Sequence, residues 1–382
     1  MNNQQTTTDN GIYYFLGNIT SHILHALPLY KELGGTFVVL SRKAEAEVRA
    51  YGVPVLVLDN KPRSWKRFGH HYKLVYHYLD INRSLRATSE YLNKHARVVI
   101  FYELYDFDPS VRLTKPKTVF LTHGNMLKNY MESNDRLEVL KQYDYMAALG
   151  PYMKREFIEK NHIDPHRLVD IGIARTDAII TDRGRVVLSD NLLDELGLDP
   201  KKKIFSYMPT FWGPSSIYNI GKEIVRNFPE NYTLLFRPHP QTPDKLLAEY
   251  LHIIDSKPNV IYAPEGKYQH LGIIELFAAS SAIIGDVSSV MLEAILTEKP
   301  LIFAYDSGEH KQSREEYRAI REIVDYSQKI DGQNIDSLET ILDASLNTGV
   351  DTATWHVVKD RNFFYSNGGC TTAIATFIQK LL

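Results

Sequence analysis

Residues 203–240 read KIFSYMPTFWGPSSIYNIGKEIVRNFPENYTLLFRPHP. Two short apolar runs, 203–208 and 232–236, flank a segment whose apolar residues recur at helical spacing. Neither run alternates polar with apolar, so each predicts a strand covered on both faces, as in a parallel sheet. The same rhythm continues downstream at 259–261, 282–284 and 301–304. Upstream it recurs at 11–17 (GIYYFLG), 36–40 (TFVVL), 53–58 (VPVLVL), 97–102 (RVVIFY) and 117–122 (KTVFLT), with 144–149 and 168–172 completing that half. Two successive βαβαβ series predict an α/β protein of two doubly wound, Rossmann-like domains facing across a cleft. A short helix ending near Leu196 and a charged turn at 199–203 set the boundary. The expected domains are 1–182 and 183–354, with a helical segment, 355–382, packing on the lobes.

A chain of 382 residues, 44% hydrophobic and 24% charged, has apolar surface for two cores. Its formal net charge of -2 supplies no overall attraction to nucleic acid or anionic lipid. The one cysteine, Cys370, excludes an internal disulfide and a cysteine-based zinc site, which fits a reducing compartment. Residues 1–10 are polar and lack the order of a signal peptide. No stretch approaches the ~20 apolar residues that cross a bilayer. The expectation is a cytoplasmic protein without a membrane span.

In doubly wound sheets ligands sit beyond the carboxyl ends of the strands, so the residues that follow each run carry the chemistry. After 117–122 comes His123-Gly124, with Lys128 five residues beyond the histidine. An imidazole at a tight turn suits a general base on a hydroxyl, or else a capping role. After 203–208 comes Thr210, a hydroxyl for phosphate, followed by Phe211 and Trp212, which line a cleft or pack in the core. After 232–236 comes Arg237-Pro238-His239-Pro240. Its prolines restrict the backbone around His239, and Arg237 offers a fork for phosphate oxygens. After 282–284 come Asp286, Ser288 and Ser289 at the start of a helix, placed to bind phosphate, to cap the helix, or both. Asp286 can orient a serine or a ribose hydroxyl; no second carboxylate stands beside it at metal-ligand spacing. Glu293, Glu298 and Lys299 read as a solvated helix face, and Arg175 with Asp177 as a pair near an interdomain hinge. No Walker loop or G-x-G-x-x-G is present, and no cofactor is expected.

These segments together resemble the CDP-glycerol glycerophosphotransferase family, the teichoic-acid and capsule polyol-phosphate transferases. His123-Gly124-Asn125-Met126-Leu127-Lys128 is similar to the family's His-Gly-Thr-x-x-Lys, with Asn125 in place of threonine. Met208-Pro209-Thr210-Phe211-Trp212 resembles Ala-Pro-Thr-Trp, and Arg237-Pro238-His239-Pro240 matches Arg-x-His-Pro. Asp286-Val287-Ser288-Ser289, followed by Lys299-Pro300, resembles Asp-Tyr-Ser-Ser and Lys-Pro, while residues 172–177 (GIARTD) resemble Gly-x-Pro-Arg-x-Asp. The resemblance runs from about residue 118 to 306; residues before about 115 carry none of it. It implies a GT-B-like fold, a CDP-polyol donor, a lipid-linked glycan acceptor and action at the cytoplasmic face of the membrane. It also implies that His123 activates the acceptor hydroxyl. His239 would bind the donor diphosphate with Arg237, Thr210, Ser288 and Ser289, while Gly124, Lys128, Asp286, Arg175 and Asp177 support the site.

Residues 61–73 (KPRSWKRFGHHYK) hold five Lys or Arg and no acid, with aromatics interleaved. Arg63, Trp65, Lys66 and Arg67 suit an anionic membrane surface or the acceptor; RNA binding uses the same chemistry, and a solvated helix edge has the same composition. Two other functions fit the same strand-end pattern. One is a nucleotide-sugar glycosyltransferase or epimerase, with Glu293 on a ribose; the other is a non-catalytic nucleotide-binding module.

Overall fold

The computed structural model describes residues 10–58, 73–105, 112–122, 134–181, 194–199, 201–211, 215–264, 267, 272–286, 288–304, 321–348 and 351–382. They form two compact units, one from described residues up to 175 together with 369–382, the other from described residues between 176 and 368.

The first unit is built on a parallel sheet of β1 (Ile12–Gly17), β2 (Thr36–Val39), β3 (Val55–Val57), β4 (Val98–Phe101), β5 (Lys117–Phe120), β6 (Tyr145–Ala147) and β7 (Leu168–Val169). Their order is β3-β2-β1-β4-β5-β6-β7. Every residue of β1 and β4 is buried, the burial that an unbroken apolar run predicts. Among the described residues, α1 (Ile23–Leu33), α2 (Arg42–Arg49), α3 (Lys73–His95), α4 (Asn134–Leu140) and α5 (Pro151–Glu159) join these strands, and α6 (Arg175–Thr181) follows β7 and carries the chain into the second unit. Tyr14 stacks on Phe37 at 4.9 Å in the core beneath α1.

The second unit holds β8 (Ile204–Met208), β9 (Thr233–Phe236), β10 (Val260–Tyr262), β11 (Ala282–Gly285), β12 (Leu301–Ala304) and β13 (Gln328–Ile330). They are parallel, in the order β10-β9-β8-β11-β12-β13. Its helices are α7 (Gly221–Arg226), α8 (Asp244–Ile254), α9 (Ile273–Ala279), α10 (Ser289–Ala294), α11 (Arg321–Tyr326), α12 (Leu338–Thr348) and α13 (Thr352–Asn362). Phe236 stacks on Tyr250 of α8 at 4.8 Å. Each sheet is therefore doubly wound and Rossmann-like.

Three features depart from the sequence reading. β13 was not anticipated, because Gln328-Lys329-Ile330 is a short edge strand with no apolar run. Glu293, Glu298 and Lys299 are not a solvated face. Glu293 is 1% exposed. Lys299 is half-buried, its Nζ donating to the carbonyls of Phe277 and Ala278 at 2.6 and 2.7 Å, at the end of α9. Glu298 accepts from Lys359 Nζ at 2.5 Å, and that lysine's side chain is 2% exposed.

The stretch 355–382, read as one segment, is shared between the units. α13 packs on the second, where Trp355 Nε1 donates to the Ile295 carbonyl at 2.6 Å. The last helix, α14 (Cys370–Leu381), returns to the first unit and buries Ile374, Ala375 and Ile378 in the same core as Ile23, Ala26 and Leu29. Among the described residues no helix is long and apolar enough to cross a membrane, and no cluster of His, Cys, Asp and Glu could hold a metal ion.

Candidate anion-binding site at the switch point of the second sheet

From β8 the chain runs outward through β9 to β10, then returns to the other side of β8 as β11. The crevice where strand order reverses lies between the carboxyl ends of β8 and β11, the usual ligand position in such sheets. Met208 pairs with Gly285, and Tyr207 with Phe236, so β8, β9 and β11 end side by side. Thr210, Arg237, His239, Asp286, Ser288 and Ser289 thereby share one sheet edge.

Asp286 leaves β11 and is 2% exposed. Its Oδ1 accepts the backbone N–H of Thr210 at 2.9 Å; its Oδ2 accepts the N–H and hydroxyl of Ser216 at 2.8 and 2.7 Å. Since Ser216 spends its hydroxyl proton on Asp286, the Tyr207 hydroxyl donates to Ser216 Oγ at 2.8 Å. Burial holds the Tyr207 phenol well above its ordinary range, so it stays a donor. A buried carboxylate satisfied in this way clamps the loop after β8. The serine that Asp286 orients is Ser216, which the sequence reading did not single out.

His239 opens a β-turn with Pro240 at its second position, closed by Thr242 N–H on the His239 carbonyl at 2.9 Å. The Gln241 N–H donates to His239 Nδ1 at 3.1 Å. Phe211, half-buried, stacks on the imidazole at 4.2 Å and 26° between planes. Its carbonyl accepts the Tyr218 hydroxyl at 2.8 Å. Arg237 donates its backbone N–H to Tyr207 O at 2.9 Å and is half-buried.

Ser288 is the N-cap of α10, its extended backbone letting Oγ accept from Met291 N at 3.3 Å. Ser289 follows as the first helical residue, half-buried. A side chain at Gly285 would strike the Met291 sulfur, so glycine permits this close strand–helix approach.

Arg175 and Asp177 lie on α6, a helix that follows β7 in the chain. Arg175 Nη1 is 3.0 Å from His25 Nε2, and because a guanidinium only donates, the imidazole accepts. His22 and His25, both 7% exposed with rings 5.9 Å apart, carry no sequence signal beyond helical spacing. Thr122 is buried at φ 58°, a left-handed conformation uncommon for a β-branched residue. It immediately precedes His123. His123, Gly124 and Lys128 lie outside the described residues, as do Arg63, Trp65, Lys66 and Arg67.

Over 264 residues the chain is 25% identical to the teichoic acid glycerol-phosphate primase of Bacillus subtilis strain 168, covering 68% of this chain and 63% of that protein. Over 231 residues it is 24% identical to the teichoic acid poly(glycerol phosphate) polymerase of Staphylococcus epidermidis, covering 57% of this chain and 30% of the polymerase. The chain thus spans less than two thirds of the length of either relative. Among solved structures, the wall teichoic acid polymerase TagF aligns with 97% of this chain and 89% of its own, at 15% identity and a TM-score of 0.61. A UDP-GlcNAc 2-epimerase from Neisseria meningitidis aligns with 97% of this chain and 99% of its own, at 13% identity and a TM-score of 0.61. These two likenesses are of fold, GT-B-like in both cases. The family model of CDP-Glycerol:Poly(glycerophosphate) glycerophosphotransferase matches residues 73–380, most of the chain and both of its units. The chain belongs to that family.

Proposed function

We propose that the chain transfers glycerol phosphate, or a related polyol phosphate, from a CDP-linked donor to a hydroxyl of a lipid-linked, teichoic-acid-like acceptor. The observation that carries this reading is the family match together with Arg237 and His239 on a strand end beside Thr210, Ser288 and Ser289. His123 takes the proton of the acceptor hydroxyl. The freed oxygen forms a bond to the phosphorus next to the polyol. The bond from that phosphorus to the bridging oxygen breaks, and its electron pair leaves with CMP. Arg237, His239, Thr210, Ser288 and Ser289 hold the diphosphate as charge shifts toward the leaving oxygen, so positioning and electrostatics supply most of the rate.

The second unit binds the donor, the first unit the acceptor, and the basic stretch with Arg63, Trp65, Lys66 and Arg67 touches the inner face of the membrane. Gly124, Lys128, Asp286, Arg175 and Asp177 support the site. The test is CMP release from CDP-glycerol and from CDP-ribitol, with and without a lipid-linked acceptor. Acceptor-dependent release is expected, abolished in His123→Ala and His239→Ala while both variants remain folded. Full turnover by either variant, or stabilisation by UDP-sugars but not by CMP, overturns the reading.

A further inference from the structure

The imidazole of His239 is held from two directions. Gln241 N–H donates to Nδ1 at 3.1 Å, and a ring nitrogen that accepts carries no proton. The neutral ring therefore bears its hydrogen on Nε2, at the far side of the ring. A second proton on Nδ1 would set two donors against each other. Phe211 supplies the other constraint, stacking at 4.2 Å and 26°. Rotation of an imidazole about χ2 is soft, so a stacked neighbour is what selects its plane. Phe211 is itself anchored, by Tyr218 on its carbonyl at 2.8 Å and through Thr210, whose N–H is held by Asp286 at 2.9 Å. The buried carboxylate of Asp286, just past β11, is thus linked through Thr210 and Phe211 to the imidazole that follows β9.

We propose that Phe211 is a positioning residue which, with the Gln241 N–H, presents the Nε2–H of His239 to a donor phosphate oxygen, so that His239 acts as a hydrogen-bond donor and not as a proton-giving acid. The proposal rests on the transferase reading above. Its chemistry balances: the acceptor's proton goes to the base, and CMP departs as a phosphate monoester. The second pKa of such an ester is about 6, so the leaving oxygen needs no proton at neutral pH. A fixed N–H aimed at growing negative charge lowers the barrier without delivering one.

The experiment compares four variants of the full chain. His239→Gln retains an amide N–H near the Nε2 position and should turn over at least about tenfold faster than His239→Ala. Equal loss in the two overturns the proposal. Phe211→Leu should lower kcat by about tenfold or more with a smaller change in KM, and Phe211→Trp should restore it. A Phe211→Trp variant as slow as Phe211→Leu counts against the positioning role. Nitrogen-15 NMR supplies a readout independent of transfer, with His239 identified by its absence in His239→Gln. The Nε2–H tautomer is expected, mixed with the other in Phe211→Leu, and the Nε2 signal should move on addition of CMP. An Nδ1–H tautomer, or an Nε2 signal unmoved by saturating CMP, defeats the proposal whatever the transfer assay gives. Absence of transfer alongside the expected spectra defeats the transferase reading instead.

Discussion

The carboxylate of Asp286 and the backbone N–H of Thr210 meet at 2.9 Å, although the residues are 76 apart in sequence. This bond ties the two strand ends that flank the switch point, and the same carboxylate binds Ser216. Asp286→Asn keeps the shape but turns an amide N–H₂ toward one of the donors now satisfied. The expected loss of stability is about 2–3 kcal/mol, against about 1 kcal/mol for Ser216→Ala. Urea denaturation monitored by circular dichroism gives both values, and the reverse ranking would remove Asp286 from its clamping role.

Ser288 and Ser289 separate under alanine substitution. Ser288 spends its Oγ on the Met291 N–H, so Ser288→Ala should cost about 1 kcal/mol of stability. Ser289 lies inside the first turn, and Ser289→Ala should stay within about 0.5 kcal/mol of the parent. Its effect is expected on the KM for CDP-glycerol. Thermal melts paired with initial rates distinguish the two.

Burial pushes the Lys299 amine down from its ordinary 10.5 to about 8. Between those values the unfolded chain binds more protons than the folded one, so this group's contribution to stability rises with pH. A neutral amine still has two N–H bonds, enough for the carbonyls of Phe277 and Ala278. The stability gap between the parent and Lys299→Met should therefore widen from pH 7 to pH 10. A gap that narrows over this range would show that the charged form is the favoured one.

Glu298 and Lys359 couple α13 to the turn before β12. Glu298→Gln leaves a buried ammonium without its counter-charge and should cost about 3 kcal/mol. Adding Lys359→Met removes that charge while keeping the stem, and the double variant should regain most of the loss. A purely additive double variant in chemical denaturation would show that the pair is not coupled.

The chain's own order of residues determined the sheets. Unbroken apolar runs such as 97–102 and 232–236 specify strands buried on both faces, and strands separated by helical segments specify parallel, doubly wound pairing. It also marked the strand ends, because His239, Thr210 and Ser288 stand directly after such runs. β13 escaped because its polar edge residues carry no apolar signal. Tertiary structure alone decided which polar groups meet. That Asp286 holds Ser216 and Thr210, that Phe211 faces His239, and that Lys299 turns onto α9 all follow from strand order and register. Local periodicity specifies an element and the face it buries. Contacts between residues tens of positions apart form only when strands pair side by side, and no local pattern records which ends become neighbours.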